Sequence, residues 1–208
     1  MSVIIESQGK AKPSRSRILD CDRQYRVNWS NSLMLANLSL IKLSPKHRQS
    51  FLSLVEDFHA AGEYRFQADL EQIHDNFDEY TQRLLGMEMG VELLEGMVPQ
   101  TTLWLVKDNN YLIGKSHLRH QLTSTLEHHG GHIGYFVRPS ERGKGYGTCL
   151  LELTLSAAYN IGLSRILITC DTDNVSSVRV IEKNGGVLEN QLISNVSGVM
   201  ISRYWIQL

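Results

Sequence analysis

The segment that most narrows the fold is a short run late in the chain, Ile166-Leu167-Ile168-Thr169-Cys170. It lacks polar alternation, the signature of a strand covered on both faces, and such a strand belongs inside a layered sheet. Its neighbours are equally constrained. Leu150, Leu151, Thr154, Ala157, Ala158 and Ile161 fall on one broad helical face that ends at Gly162. Before that helix, Ile133 to Val137 is a short strand stopped by Pro139, and Gly143, Gly145 and Gly147 separate the two. Strand, glycine-rich turn, helix and buried strand make a parallel crossover unit.

The flanking segments are of a different kind. Leu38, Leu40 and Leu43, with Ile41 between, predict a first strand, and Ser44-Pro45 predicts an N-cap followed by proline at the first helical position. Phe51, Leu54, Val55 and Phe58 continue at helical spacing to Gly62. Leu70, Ile73, Phe77, Tyr80 and Leu84 predict one further amphipathic helix, a core-packing stripe. Thr102–Val106 and Tyr111–His120, joined by Asp108-Asn109-Asn110, predict a hairpin. A helix is expected over Val175–Lys183, and a closing antiparallel pair from Val187-Leu188 and Met200–Ile206. The expectation is an α/β domain of α+β type over residues 38–208. Its mixed sheet is mostly antiparallel, with a central splayed parallel pair and flanking helices. Residues 1–37 carry no period and are expected to form a partly mobile N-terminal extension.

Composition removes several classes of function. A net charge of −1 over 208 residues gives no global field for nucleic acid or an anionic membrane. Cys21, Cys149 and Cys170 form neither a metal-ligating spacing nor a disulfide framework, and no metal is expected. No apolar run approaches the roughly 20 residues of a membrane span. The expected location is cytoplasmic.

The glycine-rich turn, Arg142-Gly143-Lys144-Gly145-Tyr146-Gly147, lets amide N–H groups approach an anion at a helix N-terminus, with Arg142 and Lys144 as cationic neighbours. A phosphate or pyrophosphate is the natural ligand, and a merely tight connection is the alternative. The string is neither GxxxxGK[ST] nor GxGxxG, which sets P-loop and dinucleotide fingerprints aside.

Ile133 through Gly147 as a whole resembles the acetyl-CoA motif of the GNAT superfamily of N-acetyltransferases, whose Arg/Gln-x-x-Gly-x-Gly/Ala pattern matches at Arg142, Gly145 and Gly147. A second family element is similar to Cys170 through Ser177. Gly130–Tyr135, Lys183–Glu189 and Arg203–Trp205 resemble strings of a little-characterised bacterial branch. The resemblance implies acetyl-CoA as co-substrate. Its pantetheine arm would lie against Phe136 and Val137, and its pyrophosphate on the backbone of Arg142, Gly143, Lys144, Gly145, Tyr146, Gly147 and Thr148. Asn174 would touch the CoA arm, or serve as an ordinary N-cap, or both.

It further implies direct attack of a primary amine, from a small molecule, amino acid or peptide, on the thioester. The position where relatives carry a carboxylate base is approximated by His132, either a general base or a hydrogen-bonded strand residue. Relatives place a tyrosine acid where this chain has Ile181, leaving Tyr135 and Tyr204 as candidate donors. That departure keeps open a non-catalytic acetyl-CoA or CoA sensor module. Lys115, His117 and Arg119 share one strand face, either solvated or lining an acceptor cleft that favours carboxylate or phosphate. Glu63, Glu88, Glu92 and Glu95 would instead attract a cationic amine. A homodimer is open as the assembly.

Overall fold

A computed structural model describes residues 37–66, 73, 75–91 and 93–208. The N-terminal extension other than residue 37, and Leu70 and Glu92, lie outside the described residues. Seven strands form two antiparallel sheets. The first, in the order β1-β2-β3-β4, comprises β1 (Leu38–Ile41), β2 (Gln100–Lys107), β3 (Tyr111–Arg119) and β4 (Ile133–Val137). The second, in the order β5-β7-β6, comprises β5 (Arg165–Asp171), β6 (Val187–Ile193) and β7 (Met200–Gln207). Helices α1 (Arg48–Ala60), α2 (Phe77–Met89), α3 (Ser124–His128), α4 (Tyr146–Asn160) and α5 (Val175–Lys183) complete the fold.

The first sheet is covered on both faces, and strand alternation sorts the side chains. Leu103, Leu105, Ile113, Leu118 and Ile133 pack with Leu150, Leu151, Ala157 and Ala158 of α4, and this core runs on into Ile166, Ile168 and Ile206. Trp104, Val106 and Leu112 face the other way, onto Phe51, Leu54 and Phe58 of α1 and Phe77 and Tyr80 of α2. The β2–β3 hairpin turns through Asp108 and Asn109, both with positive φ, as its sequence suggests.

Ser44 precedes Pro45 as foreseen. The chain makes a 3₁₀ turn over Pro45–His47 before α1, with the Ser44 N–H donating to His47 Nδ1 at 3.1 Å. The continuous helix expected from Leu70 to Leu84 is corrected: it breaks at Asn76. That residue has a φ of −147° and accepts the Glu79 N–H at 3.2 Å, so α2 begins at Phe77. Hydrophobic spacing carries across such a break because a cap changes the backbone, not the side on which Ile73 and Phe77 are buried.

The feature that positions the site is the junction of the two sheets. β4 and β5 flank the α4 crossover, yet no ladder joins them. Their only bridge links Gly131 to Ile168. Beside it, His132 N–H donates to Leu167 O at 2.7 Å, and Leu167 N–H donates to His132 Nδ1 at 3.0 Å. Gly131 has a φ of 62°, and a Cβ there would collide with the carbonyl of Leu167. The strands are pinned at one end and splayed beyond it.

Gly131→Ala should therefore destabilise the fold by on the order of 2 kcal/mol, through the strained φ and the lost contact. Chemical denaturation measures this, and an unchanged midpoint would remove Gly131 from the junction.

Candidate functional site

The splay leaves a cleft of about 220 Å³ between the sheets. Ile133, Gly134 and Tyr135 form one wall, Ile168, Thr169, Cys170 and Asp171 the other, and Asn174, Ser177 and Ile181 reach it from α5. Hydrogen-bond alternation decides what β4 offers there. Arg119 N–H binds His132 O and Arg138 N–H binds Ile113 O, so the pairs Leu118–Ile133 and Gly114–Val137 are of the non-hydrogen-bonded kind. Ile133, Tyr135 and Val137 thus turn their main-chain groups to the open edge, while those of Gly134 and Phe136 lie in the ladder to β3. Phe136 also sends its ring to the opposite face, edge-on to Phe58 at 5.2 Å.

At the far end of β4 lies the glycine turn. Gly143 and Gly145 have φ of 75° and 84°, and no atom stands within 4 Å of where a Cβ would project. Gly145 is the N-cap residue of α4 and gives no side-chain cap. Arg142 N–H is bonded to Pro139 O and Thr148 N–H to Gly145 O. Those of residues 143–147 meet no acceptor among the described residues, and the positive end of the α4 dipole lies behind them. The cationic side chains do not join them. Arg142 binds both oxygens of Glu63 at 2.5 and 2.9 Å and Val137 O at 3.1 Å. Lys144 binds Glu141 at 3.0 Å. Its hydrogen bonds to Arg142 lower the Glu63 carboxyl below its usual value.

His132 is buried at 8% exposure and is absent from the cleft wall. Burial pushes it down to about 4. Its Nδ1 lone pair is taken by Leu167 N–H, which places the proton of the neutral ring on Nε2. The histidine on the wall is His129, whose Nδ1 meets Ser194 Oγ at 2.5 Å. Ser194 Oγ also accepts from Val196 N–H and Ser197 N–H, so its own proton points to the imidazole. His129 and Ser177 were not singled out from sequence. The only available signal for His129 was its place in the run His128-His129-Gly130-Gly131-His132.

Tyr135 lines the cleft, and burial raises its phenol to about 12, so the hydroxyl keeps its proton. Tyr204 is buried in the core, away from the cleft wall. Ile181 is fully buried and touches the cleft from α5. Asn174 both lines the cleft and caps α5, accepting Ser177 N–H at 3.0 Å.

The row Lys115, His117 and Arg119 is half-buried on the α1–α2 side of the sheet. Lys115 Nζ stands over the rings of Phe66 and Trp104. Of the competing carboxylates, Glu63 pairs with Arg142 and Glu88 with Lys42, at 2.6 Å. Among the described residues no cluster of three or more His, Cys, Asp or Glu could hold a metal ion, and no helix is long and apolar enough to cross a membrane.

Residues 37–187 match a family model described as an acetyltransferase (GNAT) domain. No curated protein matches the chain significantly by sequence. Among solved structures it is similar to the microcin C7 self-immunity acetyltransferase MccE in complex with acetyl-CoA and AMP, at 15% identity and a TM-score of 0.60, over 84% of this chain and 94% of that one. It is also similar to a Salmonella typhimurium acetyltransferase that modifies the N-terminal serine of a 50S ribosomal subunit protein. That alignment has 16% identity and a TM-score of 0.60, over 84% and 97% of the two chains. Mycobacterium smegmatis RimJ in complex with CoA-disulfide aligns at 14% identity and a TM-score of 0.61, over 82% and 81%. At these identities the likeness is one of fold.

The lowered His132 has a thermodynamic consequence. Its folded value of about 4 lies below the reference 6.5, so protonation favours the unfolded chain. Its contribution to stability is complete above pH 6.5 and is lost as pH falls from there to about 4. His132→Gln should flatten this part of the stability–pH curve, measured by denaturation at each pH. An unaltered slope would show that His132 is not held neutral.

Proposed function

The chain belongs to the GNAT acetyltransferase family, and on that premise we propose that this acetyl-CoA-dependent acetyltransferase transfers the acetyl group to a primary amine of a small molecule, amino acid or peptide by direct attack. The observation that carries the reading is the continuity of the splayed β4 edge with the five unpaired amides at the head of α4. The edge offers the main-chain groups of Tyr135 and the N–H of Val137 to a pantetheine arm, the Val137 carbonyl being held by Arg142 Nε, so Tyr135 takes the role that the resemblance implied for Phe136. The N–H groups of residues 143–147 receive the pyrophosphate. Arg142 acts there through its backbone fold and its clasp on Glu63, not through its charge, and Asn174 borders the arm while capping α5.

In the reaction the amine nitrogen bonds to the thioester carbonyl carbon and the C–S bond breaks. The ammonium proton passes to solvent or a base, and the thiolate takes up a proton. We assign that proton to the Tyr135 O–H, which lies on the cleft wall and donates to Ser177 O at 3.5 Å. His132 joins the strands, and the imidazole beside the reacting end is His129, with the Ser194 hydroxyl fixing its tautomer. The N-terminal serine that the Salmonella neighbour modifies supports including a peptide α-amine in the proposed acceptor class.

Amine-dependent release of free thiol from acetyl-CoA tests the reading. Turnover with at least one primary amine is expected, and Gly145→Val should raise the acetyl-CoA KM about tenfold, equivalent to about 1.4 kcal/mol of binding. Firm acetyl-CoA binding without turnover across a broad amine panel would instead favour the sensor role that Ile181 leaves open. Tight ATP binding with no CoA binding would overturn both.

A further inference from the structure

The two ring nitrogens of His129 are in different situations. Nδ1 meets Ser194 Oγ, and Ser194 is itself buried in the turn between β6 and β7. That turn closes on itself, with Ser194 N–H donating to Val199 O at 2.8 Å and Gly198 N–H to Ser194 O at 2.9 Å. A hydroxyl oxygen has two lone pairs, and the N–H groups of Val196 and Ser197 use both, at 3.1 and 3.0 Å. The Ser194 proton is thereby left for Nδ1, and a neutral imidazole that accepts at Nδ1 carries its hydrogen on Nε2. Nε2 has no partner among the described residues. The free nitrogen of the ring is therefore a donor, not a lone pair.

The main chain fixes the residue as well. Gly130 N–H donates to Thr169 Oγ1 on β5 at 2.9 Å, Gly131 N–H to Leu126 O at 2.8 Å and His132 N–H to Leu167 O at 2.7 Å. These bonds hold His129 at the pinned end of the cleft, and they use up the amides of residues 130–132. A pyrophosphate on residues 143–147, with its arm running back past Val137 and Tyr135, brings the thioester toward that same end. No lysine or arginine among the described residues lines the cleft, and the carboxylate there, Asp171, can only accept. Negative charge developing on the thioester oxygen is therefore met by neutral donors, and the His129 Nε2–H is the side-chain donor anchored at the pinned end.

We propose that His129 is a catalytic residue of the transfer: its Nε2–H donates a hydrogen bond to the thioester carbonyl oxygen as the amine attacks, and Ser194 is the positioning residue that fixes this tautomer. The role rests on the acetyltransferase reading above and adds the side chain that stabilises its transition state. As the new C–N bond forms, the carbonyl π pair moves onto oxygen. It returns as the C–S bond breaks and that bond's pair leaves on sulfur. The Nε2 proton stays on the ring throughout, so His129 ends each turnover as it began. A donor held in place beforehand needs no reorganisation at the moment the charge develops.

Infrared difference spectra of bound acetyl-CoA, isotopically labelled at the thioester carbonyl, read this bond without turnover. The C=O stretch should lie below that of free acetyl-CoA and rise toward it in His129→Phe. In thiol-release assays with an amine that turns over, His129→Phe should lower kcat about a hundredfold, with the acetyl-CoA KM little changed. His129→Gln offers an amide N–H near the same position but cannot take up a proton, and should recover part of that loss. Ser194→Ala should lower kcat by less, and Ser194→Thr, which keeps the hydroxyl, should restore it. If His129→Phe folds poorly, the stretch in Ser194→Ala decides, with a rise toward the free value expected. A glutamine variant as slow as the phenylalanine one would make the ring a proton acceptor and overturn the proposal. So would an unchanged stretch under firm acetyl-CoA binding, and the acetyltransferase reading survives either result. A lowered stretch with no amine turned over upholds the donor and fails the transfer reading. If acetyl-CoA does not bind, both fall.

Discussion

One side-chain hydrogen bond organises the molecule. Where β4 would begin a ladder with β5, the Leu167 amide is taken by the imidazole of His132, not by a backbone carbonyl. The reciprocal bond, His132 N–H to Leu167 O, and the side-chain-free approach of Gly131 complete the pin. From that point the strands diverge, because the next available partners on β4 face an empty edge. The cleft, its wall of main-chain groups and the alignment of the α4 N-terminus with it all follow from ending the sheet there. Burying a histidine costs its charge. Here the loss is harmless, since the residue works as a neutral acceptor.

The fold was legible in sequence where local chemistry dictates it. Pro139, the three alternate glycines and the apolar face of α4 marked strand, turn and helix, and Ile166–Cys170 announced its own burial. The hairpin turn was visible because Asp108 and Asn109 tolerate left-handed backbone. The break at Asn76 was missed because the apolar stripe is continuous through it, although Asn76-Phe77-Asp78-Glu79 is a good helix start once read for caps instead of hydrophobicity.

The site was legible in outline but less so in its details, and the reason is tertiary. A histidine in sequence suggests proton transfer. Only packing shows that His132 is buried with its Nδ1 held by the Leu167 amide, while His129, three residues earlier, lies on the cleft wall. Likewise Arg142 beside a phosphate turn suggests a cation for the phosphate, but Glu63, far away in sequence at the end of α1, claims it. Whether Phe136 or Tyr135 offers its main chain depends on the hydrogen-bond parity of the β3–β4 ladder, which no residue type encodes.

The single pin between the sheets also has a mechanical meaning. Every other strand junction carries a full ladder, so the two halves are stiff, while the gap between them is crossed by few polar bonds. The apolar face of α4 packs against both sheets and ties the halves into one body, so the gap is an open edge set within a shared core and not a seam between separate parts.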